Sequence, residues 1–343
     1  MTECKPSRRR RWLRYSMRTM LVAVTLLCLV LALVIVPAER QRRTVRKIRA
    51  SDPHSMVRYD FEVDGQAGRS SPAWLRRWLG DDYFHRVVST EIYLSRGDLT
   101  PDDLTNLPAL KHLTTVRMPL ADDGLQTLTR LRNLESLSIY SDSITDRGIE
   151  QLSSLTELEL LNVNSNQVTG EGLRPLAALK NLRRLILRSN SITVDGLEAV
   201  ARLSNLESLQ LNSDSLTDEC LKTLSGMEGL TGLTIDGRSG VRNAPPGVTD
   251  ESLRHIAQLS NLQTLSISSP GITDVGLAHL TTLRKLSKLS IAHSDAKYTE
   301  AAVIGLLTRI PGLVVEYRDP SFRTGLTIRG PLKPAQNNPP TSR

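Results

Sequence analysis

The sequence predicts an α/β solenoid preceded by one membrane-spanning helix. Short strands would stack into a parallel sheet on the concave side, with short helices on the convex side. Two observations lead to this reading. From about residue 86 onward a pattern of leucines recurs every 24 residues, in about nine units. Ahead of it, Thr19–Ala38 is a run of 20 residues without a charge, set between two clusters of arginines.

Within Leu21–Val36, 12 of 16 residues are Leu, Val or Ile. As a helix, 20 residues rise about 30 Å, the thickness of a hydrocarbon core. No polar face interrupts the run, so neither a soluble amphipathic helix nor a buried core helix fits. An uncleaved, single-pass anchor is expected. The rival is an export signal cleaved after Ala38, where Val36 and Ala38 supply small residues, but the run is long for such a signal. Seven basic residues precede it (Lys5, Arg8, Arg9, Arg10, Arg11, Arg14, Arg18) and six follow (Arg40, Arg42, Arg43, Arg46, Lys47, Arg49). The positive-inside rule therefore leaves the side of the membrane open.

The formal charge of +8 has the same origin. Residues 1–50 hold 13 Lys and Arg against two acids, leaving 31 basic and 34 acidic residues in the rest of the chain. The basic surplus flanks the apolar run, where anionic headgroups are its natural partner. The repeats carry none with which to neutralise phosphates, so no nucleic-acid partner is expected. Three cysteines give no disulfide framework.

Units 131–154, 155–178, 179–202, 203–226 and 259–282 are each 24 residues long. Unit 227–258 carries eight more between Ile235 and Val248, and unit 110–130 is three shorter. Each contains L-x-x-L-x-L-x-x-(N/D)-x-(I/V/L), as in Leu182, Leu185, Leu187, Asn190 and Ile192. The alternation Leu185-Ile186-Leu187 suits a short strand with every second residue buried. The polar turn position reads Asp142, Asn166, Asn190 and Asp214, then Pro270 and Ser294. A ladder of these side chains bonded to the curving backbone is expected. The half-unit I-T-D-x-G-L-x-x-L reads as a short helix, with Asp146, Asp218, Asp250 and Asp274 placed to cap its first turn. The small slot that follows (Gly148, Gly172, Gly196, Cys220, Ser252, Gly276) predicts close packing of helix on strand and makes Cys220 structural.

This pattern resembles the leucine-rich repeat family. The whole layout, including "WLRRWLGDD" before the first unit, resembles bacterial single-pass membrane-anchored members with 24-residue repeats. The resemblance implies a right-handed horseshoe that serves as a binding scaffold. The expected organisation is a basic, cytoplasmic-type leader (1–18), a transmembrane helix (19–38) and a stalk (39–71). An N-terminal cap (72–85), the repeat domain (86–318) and a disordered tail (319–343) follow. In the cap, Leu75, Trp78 and Leu79 share a helical face suited to covering the open end of the core.

No phosphate loop, paired-cysteine zinc motif, H-E-x-x-H or G-x-S-x-G is present, so no enzyme, cofactor or metal is expected. His255 and His279 fall in the same slot of successive units and read as a solvated pair, since zinc normally needs three or four protein ligands. The concave face remains. One row of its exposed positions reads Tyr93, Arg117, Ser138, Asn162, Ile186, Gln210, Thr234 and Ser266. The next reads Ser95, Pro119, Tyr140, Asn164, Arg188, Asn212, Asp236 and Ser268. The middle, with Tyr140, Asn162, Asn164, Arg184, Arg188, Gln210, Asn212 and Asp236, combines an aromatic anchor with arginines and amides, the composition of an interface. The inserted loop adds Arg238, Arg242 and Asn243 beside it.

The leading expectation is a membrane-tethered scaffold that binds a protein or peptide through this face. One alternative is a structural envelope protein whose arrays self-associate. Another comes from a loose similarity of "LTDECLKTL" to repeats of ubiquitin-ligase substrate receptors, although no F-box-like segment accompanies it.

Overall fold

The computed structural model of the chain describes residues 17–63, 74, 77, 79–93, 98–118, 120–237, 247–291, 297–318 and 325–329. Twelve strands form a single sheet in chain order. They are β1 (Met56–Tyr59), β2 (Val87–Tyr93), β3 (His112–Val116), β4 (Ser136–Tyr140), β5 (Leu160–Asn164), β6 (Arg184–Arg188), β7 (Ser208–Asn212), β8 (Gly232–Asp236), β9 (Thr264–Ser268), β10 (Lys288–Ile291), β11 (Val314–Arg318) and β12 (Gly325–Arg329). Strands β2 to β11 pair in parallel, whereas β1 and β12 close the two ends antiparallel. The array thus holds ten parallel strands rather than nine units, the tenth built on Ile310, Leu313 and Val315, all buried.

Register follows the leucines. Leu137, Leu161, Leu185, Leu209, Leu233, Leu265 and Leu289 stand level across adjacent strands, each at most 2% exposed. The eight extra residues leave no mark on the sheet: Gly232 stands opposite Thr264 and Asp236 opposite Ser268, as in any other pair. Short helices and 3₁₀ turns return the chain along the convex side. Each unit buries its leucines against both neighbours, so no unit has a core of its own.

Three ladders of side chains tie unit to unit, and they differ from the predicted one. Asp142, Asn166, Asn190 and Asp214 are all exposed, and the only bonds joining them run from Asn166 to Asp142. At the first three the residue just before does the structural work, whereas beside Asp214 it is Ser215 that donates to the preceding unit, at the carbonyl of Ile192. Ser141, Ser165 and Ser189 donate to the carbonyls of Leu120, Ile144 and Val168 in the preceding unit, and Ser269 donates to Val248. Each hydroxyl also accepts the N–H two residues on, from Ser143, Gln167, Ser191 and Gly271. A hydroxyl can donate and accept at once in a space too dry for water; the larger side chain next to it turns outward.

At the other end of the strands, Asn133, Asn181, Asn205 and Asn261 donate to the preceding unit's carbonyls at Pro108, Thr156, Lys180 and Glu228. The third ladder is convex. The helices are N-capped by threonine, as where Thr145 accepts from Arg147 and Thr217 from Cys220. The aspartates expected to cap their own helices reach the next unit instead. Asp146 accepts from Thr169 N–H and hydroxyl, Asp218 from Thr249 and Ser252, Asp250 from Thr273, and Asp274 from Thr299. This also corrects the reason for the small slot. A Cβ on Gly276 would lie 2.2 Å from Asp250 Oδ1, and one on Gly196 would lie 2.7 Å from Gly170 Cα, so the crowding comes from the preceding convex turn and not from the strand.

The expected stalk is folded over its first part. One helix runs from α1 (Met17–Val30) through a π-helical turn at Leu31–Ile35 into α2 (Val36–Ser51). The turn sits where Pro37 has no N–H to give and its ring crowds the carbonyl four residues back. In α2 the side chains Ala38, Gln41, Thr44, Val45, Ile48 and Ser51 are buried, while Arg40, Arg42, Arg43, Arg46, Lys47 and Arg49 face outward. Val45, Ile48 and Tyr59 join the repeat core, so α2 and β1 provide the lid that had been expected of residues 72–85. A single repeat array ends in an open row of leucines, which is why an amphipathic segment cannot hang free beside it. Residues 64–71, and Leu75 and Trp78 of the expected cap, lie outside the described residues; Trp74 is 70% exposed and Leu79 half-buried.

Polar bonds fix the lid. Gln41 Nε2 donates to the carbonyl of His85 at 2.8 Å, and Thr44 donates to that of Asp103. Lys47 pairs with Asp103 at 2.8 Å. Burial pushes the Asp103 carboxyl up, but Lys47 and Thr100 outweigh it and hold it below the ordinary range. Burial, reinforced by the Asp82 carboxylate it bonds to, pushes the Tyr59 phenol well above its usual value. At the far end, β12 pairs along β11 over residues 325–329, within the expected disordered tail; 330–343 lie outside the described residues.

The serine and asparagine positions separate in a denaturation experiment. Ser165→Ala leaves a buried carbonyl and N–H without a partner and should cost about 1–3 kcal/mol, whereas Asn190→Ala, on an exposed side chain, should stay within about 0.5 kcal/mol. Ile48→Ala, harmless in a stalk, should cost about 2–5 kcal/mol because the side chain is fully buried. Asp218 adds a pH signature. Burial raises its carboxyl, but bonds from Ser252 and Thr249 hold it below its ordinary 3.8. A depressed folded-state value stabilises the fold above the unfolded value. The stability gap between the native chain and Asp218→Asn should therefore hold at neutral pH and close as pH falls below about 3.8, as urea titrations at stepped pH would read.

Candidate functional site

The parallel strands present alternate side chains away from the leucine core, and the pairing register assigns them to rows. One row reads Glu91, Thr114, Ser138, Asn162, Ile186, Gln210, Thr234 and Ser266. Its neighbour reads Tyr93, Val116, Tyr140, Asn164, Arg188, Asn212, Asp236 and Ser268. The first two places of each predicted row shift accordingly: Tyr93 stands in line with Tyr140, and Arg117 lies just past β3 with a φ of 57°. No residues are lost after β3, which stands a full 24 residues before β4; the repeat begins at Leu107, with Leu107, Leu110 and Leu113 matching Leu131, Leu134 and Leu137, and one residue is missing between β2 and β3. Pro119 and Ser95 lie outside the described residues.

From β4 to β8 the predicted residues come together. Asn162 is 7% exposed and donates its amide to the Tyr140 hydroxyl at 3.0 Å. Two strands on, Asn212 donates to Asp236 Oδ2 at 3.3 Å. Asn164, Arg188, Gln210, Asn212 and Asp236 are half-buried, and Arg184 is exposed at the start of β6. Two polar atoms in this patch are enclosed and unsatisfied: Asn162 Oδ1 and, on the adjacent strand, Arg188 Nε are buried without a hydrogen-bond partner. One is an acceptor and the other a donor. Buried polar atoms are nearly always paired, so such a couple on an open face points to groups supplied from outside. Arg238, Arg242 and Asn243 of the inserted loop lie outside the described residues.

Elsewhere, His255 is buried rather than solvated, its Nε2 3.3 Å from Glu251 Oε1, while His279 is half-buried. Among the described residues no group of three or more His, Cys, Asp or Glu is placed to hold a metal ion. Cys220 is buried in its small slot with the Thr217 hydroxyl 3.3 Å from its sulfur. Sequence reasoning overlooked His85, which lies under the lid, 6% exposed, with Nδ1 3.1 Å from Asp60 Oδ1 and its ring 4.4 Å from that of Phe61. Nothing in the repeat pattern marks it, because it precedes the first unit.

A parallel solenoid whose concave side carries a polar, partly unsatisfied patch is the architecture of a binding scaffold. Leucine rich repeat family models match residues 180–238 and 154–177. Together with the 24-residue register, they identify the chain as a leucine-rich repeat protein. Among solved structures it is similar to an internalin from Listeria monocytogenes, at 18% identity and a TM-score of 0.43. That alignment covers 78% of this chain and 76% of the other. Comparison with curated proteins gives no match.

Proposed function

We propose that the protein is a membrane-tethered, non-enzymatic scaffold that captures an extended segment of a partner protein across β4 to β8. The observation that carries this reading is the buried, unpartnered pair of Asn162 Oδ1 and Arg188 Nε on neighbouring strands. An extended peptide offers both an N–H and a carbonyl at the spacing of a strand, and Tyr140 beside them supplies an aromatic anchor. Leucine-rich repeat domains generally bind proteins or peptides, in keeping with this.

The tether is the helix from Thr19 to Ser51, long and apolar enough to cross a membrane by length and composition. Its apolar part exposes Leu21, Val22, Leu26, Leu27 and Leu33 and buries none of them on the array. Retention of the anchor is supported by Ala38, which is packed against the array and only 8% exposed, so a peptidase acting after it would meet a folded surface.

A photo-crosslinking side chain at Asn164 of the full chain, in its native membrane, should capture one discrete partner, and one at Glu219 on the convex side should not. Combined Tyr140→Ala, Arg184→Ala and Arg188→Ala should weaken that capture at least about tenfold, since a few anchors dominate an interface. Unchanged capture by a folded triple variant would sink the assignment. Crosslinking only to a second copy of the chain would instead favour the self-associating envelope protein. A soluble form for such work must keep α2, and so begins near residue 36.

A further inference from the structure

The place where the lid meets the apolar helix fixes how the array stands on the membrane. The uncharged run ends at Ala38, and Ala38 is already buried on the array. No slack separates the span from the folded domain. The next contacts show the direction of α2. Gln41 Oε1 accepts from Val87 N–H at the start of β2, and ten residues later the Ser51 hydroxyl donates to the carbonyl of Tyr93 at its end. Helix and strand therefore run side by side in the same sense. The rim of the solenoid at which its strands begin faces back along the apolar helix.

That rim and the helix enclose a cleft of ≈ 480 Å³. Leu33, Val34, Pro37 and Ala38 form one wall; Tyr83, Phe84, Pro108 and Ala109 form the other, with Arg86 at the edge. The second wall stands level with residues that belong to the span, so a bilayer covering Leu33 and Val34 must also meet Tyr83 and Phe84. Tyr83 has the amphipathic habit of interfacial aromatics, its hydroxyl bonded to Glu39 Oε2 at 3.2 Å and its ring toward the cleft. Arg86 lines the cleft and is exposed, and Arg40 and Arg42 are exposed on the same stretch of α2 as the lining residues Ala38 and Gln41. The Asp82 carboxylate, also in the cleft, is engaged by Gln41 and Tyr59.

We propose that this strand-start rim is a lipid-docking surface: the cleft takes a phospholipid of the leaflet that the helix crosses, with its headgroup phosphate among Arg40, Arg42 and Arg86. The sheet then stands upright on the membrane, strands along the bilayer normal, and the solenoid lies lengthwise over the surface. A bend at the π-helical turn tilts the array as a body without freeing it. The inference rests on the membrane-tether reading above and on no property of the concave patch.

The test uses the full chain in vesicles of phosphatidylcholine and phosphatidylglycerol, with Cys4, Cys28 and Cys220 replaced by serine. An environment-sensitive dye is attached through P108C or A109C on the strand-start rim, or through D142C on the opposite rim, about 16 Å further away by the rise of a five-residue strand. A headgroup spin-labelled lipid should quench the dye on either strand-start variant several-fold more than on D142C. R42E/R86E should reduce that difference. Co-flotation with equal quenching at both rims would overturn the lipid-docking rim and leave the tether standing. Failure to co-float with vesicles would overturn the tether itself, and the docking surface with it.

Discussion

From unit to unit, the described loops leave backbone donors and acceptors that they do not pair by themselves, and the neighbouring unit pairs them. That one constraint underlies the rest of the structure. The serine hydroxyls close the ends of the strands, the asparagine amides close their beginnings, and the Asp–Thr bonds join the convex turns. Buried polar groups left open cost more than a made bond returns, so these ladders are a condition for stacking the leucines at all. The leucine core supplies the driving force, but the ladders fix one register. A shift of one unit against the next would break all three.

The same logic explains the ends and the face. Where the array stops there is no next unit, so α2 and β1 stand in at one end and β12 at the other. On the concave face, Asn162 and Arg188 of the central patch keep an enclosed acceptor and donor. His85 Nε2 under the lid and Gln151 Oε1 on the convex side are left open singly, whereas here an acceptor and a donor stand on adjacent strands, which is what marks the patch as the candidate face.

Much of the fold was legible in the sequence because the leucine period is long, regular and repeated. The parallel sheet, the strand positions from β4 to β9 and the tolerance of the insertion all follow from spacing. The ladders were harder to read. Asn190 and its equivalents are conspicuous, but side-chain size turned them outward, and the plainer Ser189 beside them took the buried bond. The asparagines of "LRNL", "LKNL" and "LSNL" recur just as visibly and would have marked the second ladder. Of the candidate face, the residues from Tyr140 to Asp236 fell where the register predicts. Its first two units did not, because the repeat begins at Leu107 rather than Leu110 and one residue is missing between β2 and β3, so a frame set on Leu110 misplaces both strands. The lid was missed for a different reason: α2 has the arginine content of a solvated linker, and only the spacing of Ala38, Gln41, Val45 and Ile48 betrays its buried stripe.

Two successive units within the array lack the convex carboxylate, with Gly170 and Val194 standing where Asp122, Asp146, Asp218, Asp250 and Asp274 stand in others. Across that junction Thr193 reaches only the backbone carbonyl of Thr169, its hydroxyl otherwise capping its own helix at Gly196 N–H, and Gly170 and Gly196 touch main chain to main chain. In a one-dimensional array cooperativity passes from neighbour to neighbour and is no stronger than its thinnest junction. The solenoid therefore has a seam close to its middle, under β6 and β7. A load applied between an anchored first unit and a ligand held on the far strands would be felt there first. The protein is in this sense two springs in series, and the softer coupling lies beneath the candidate concave patch.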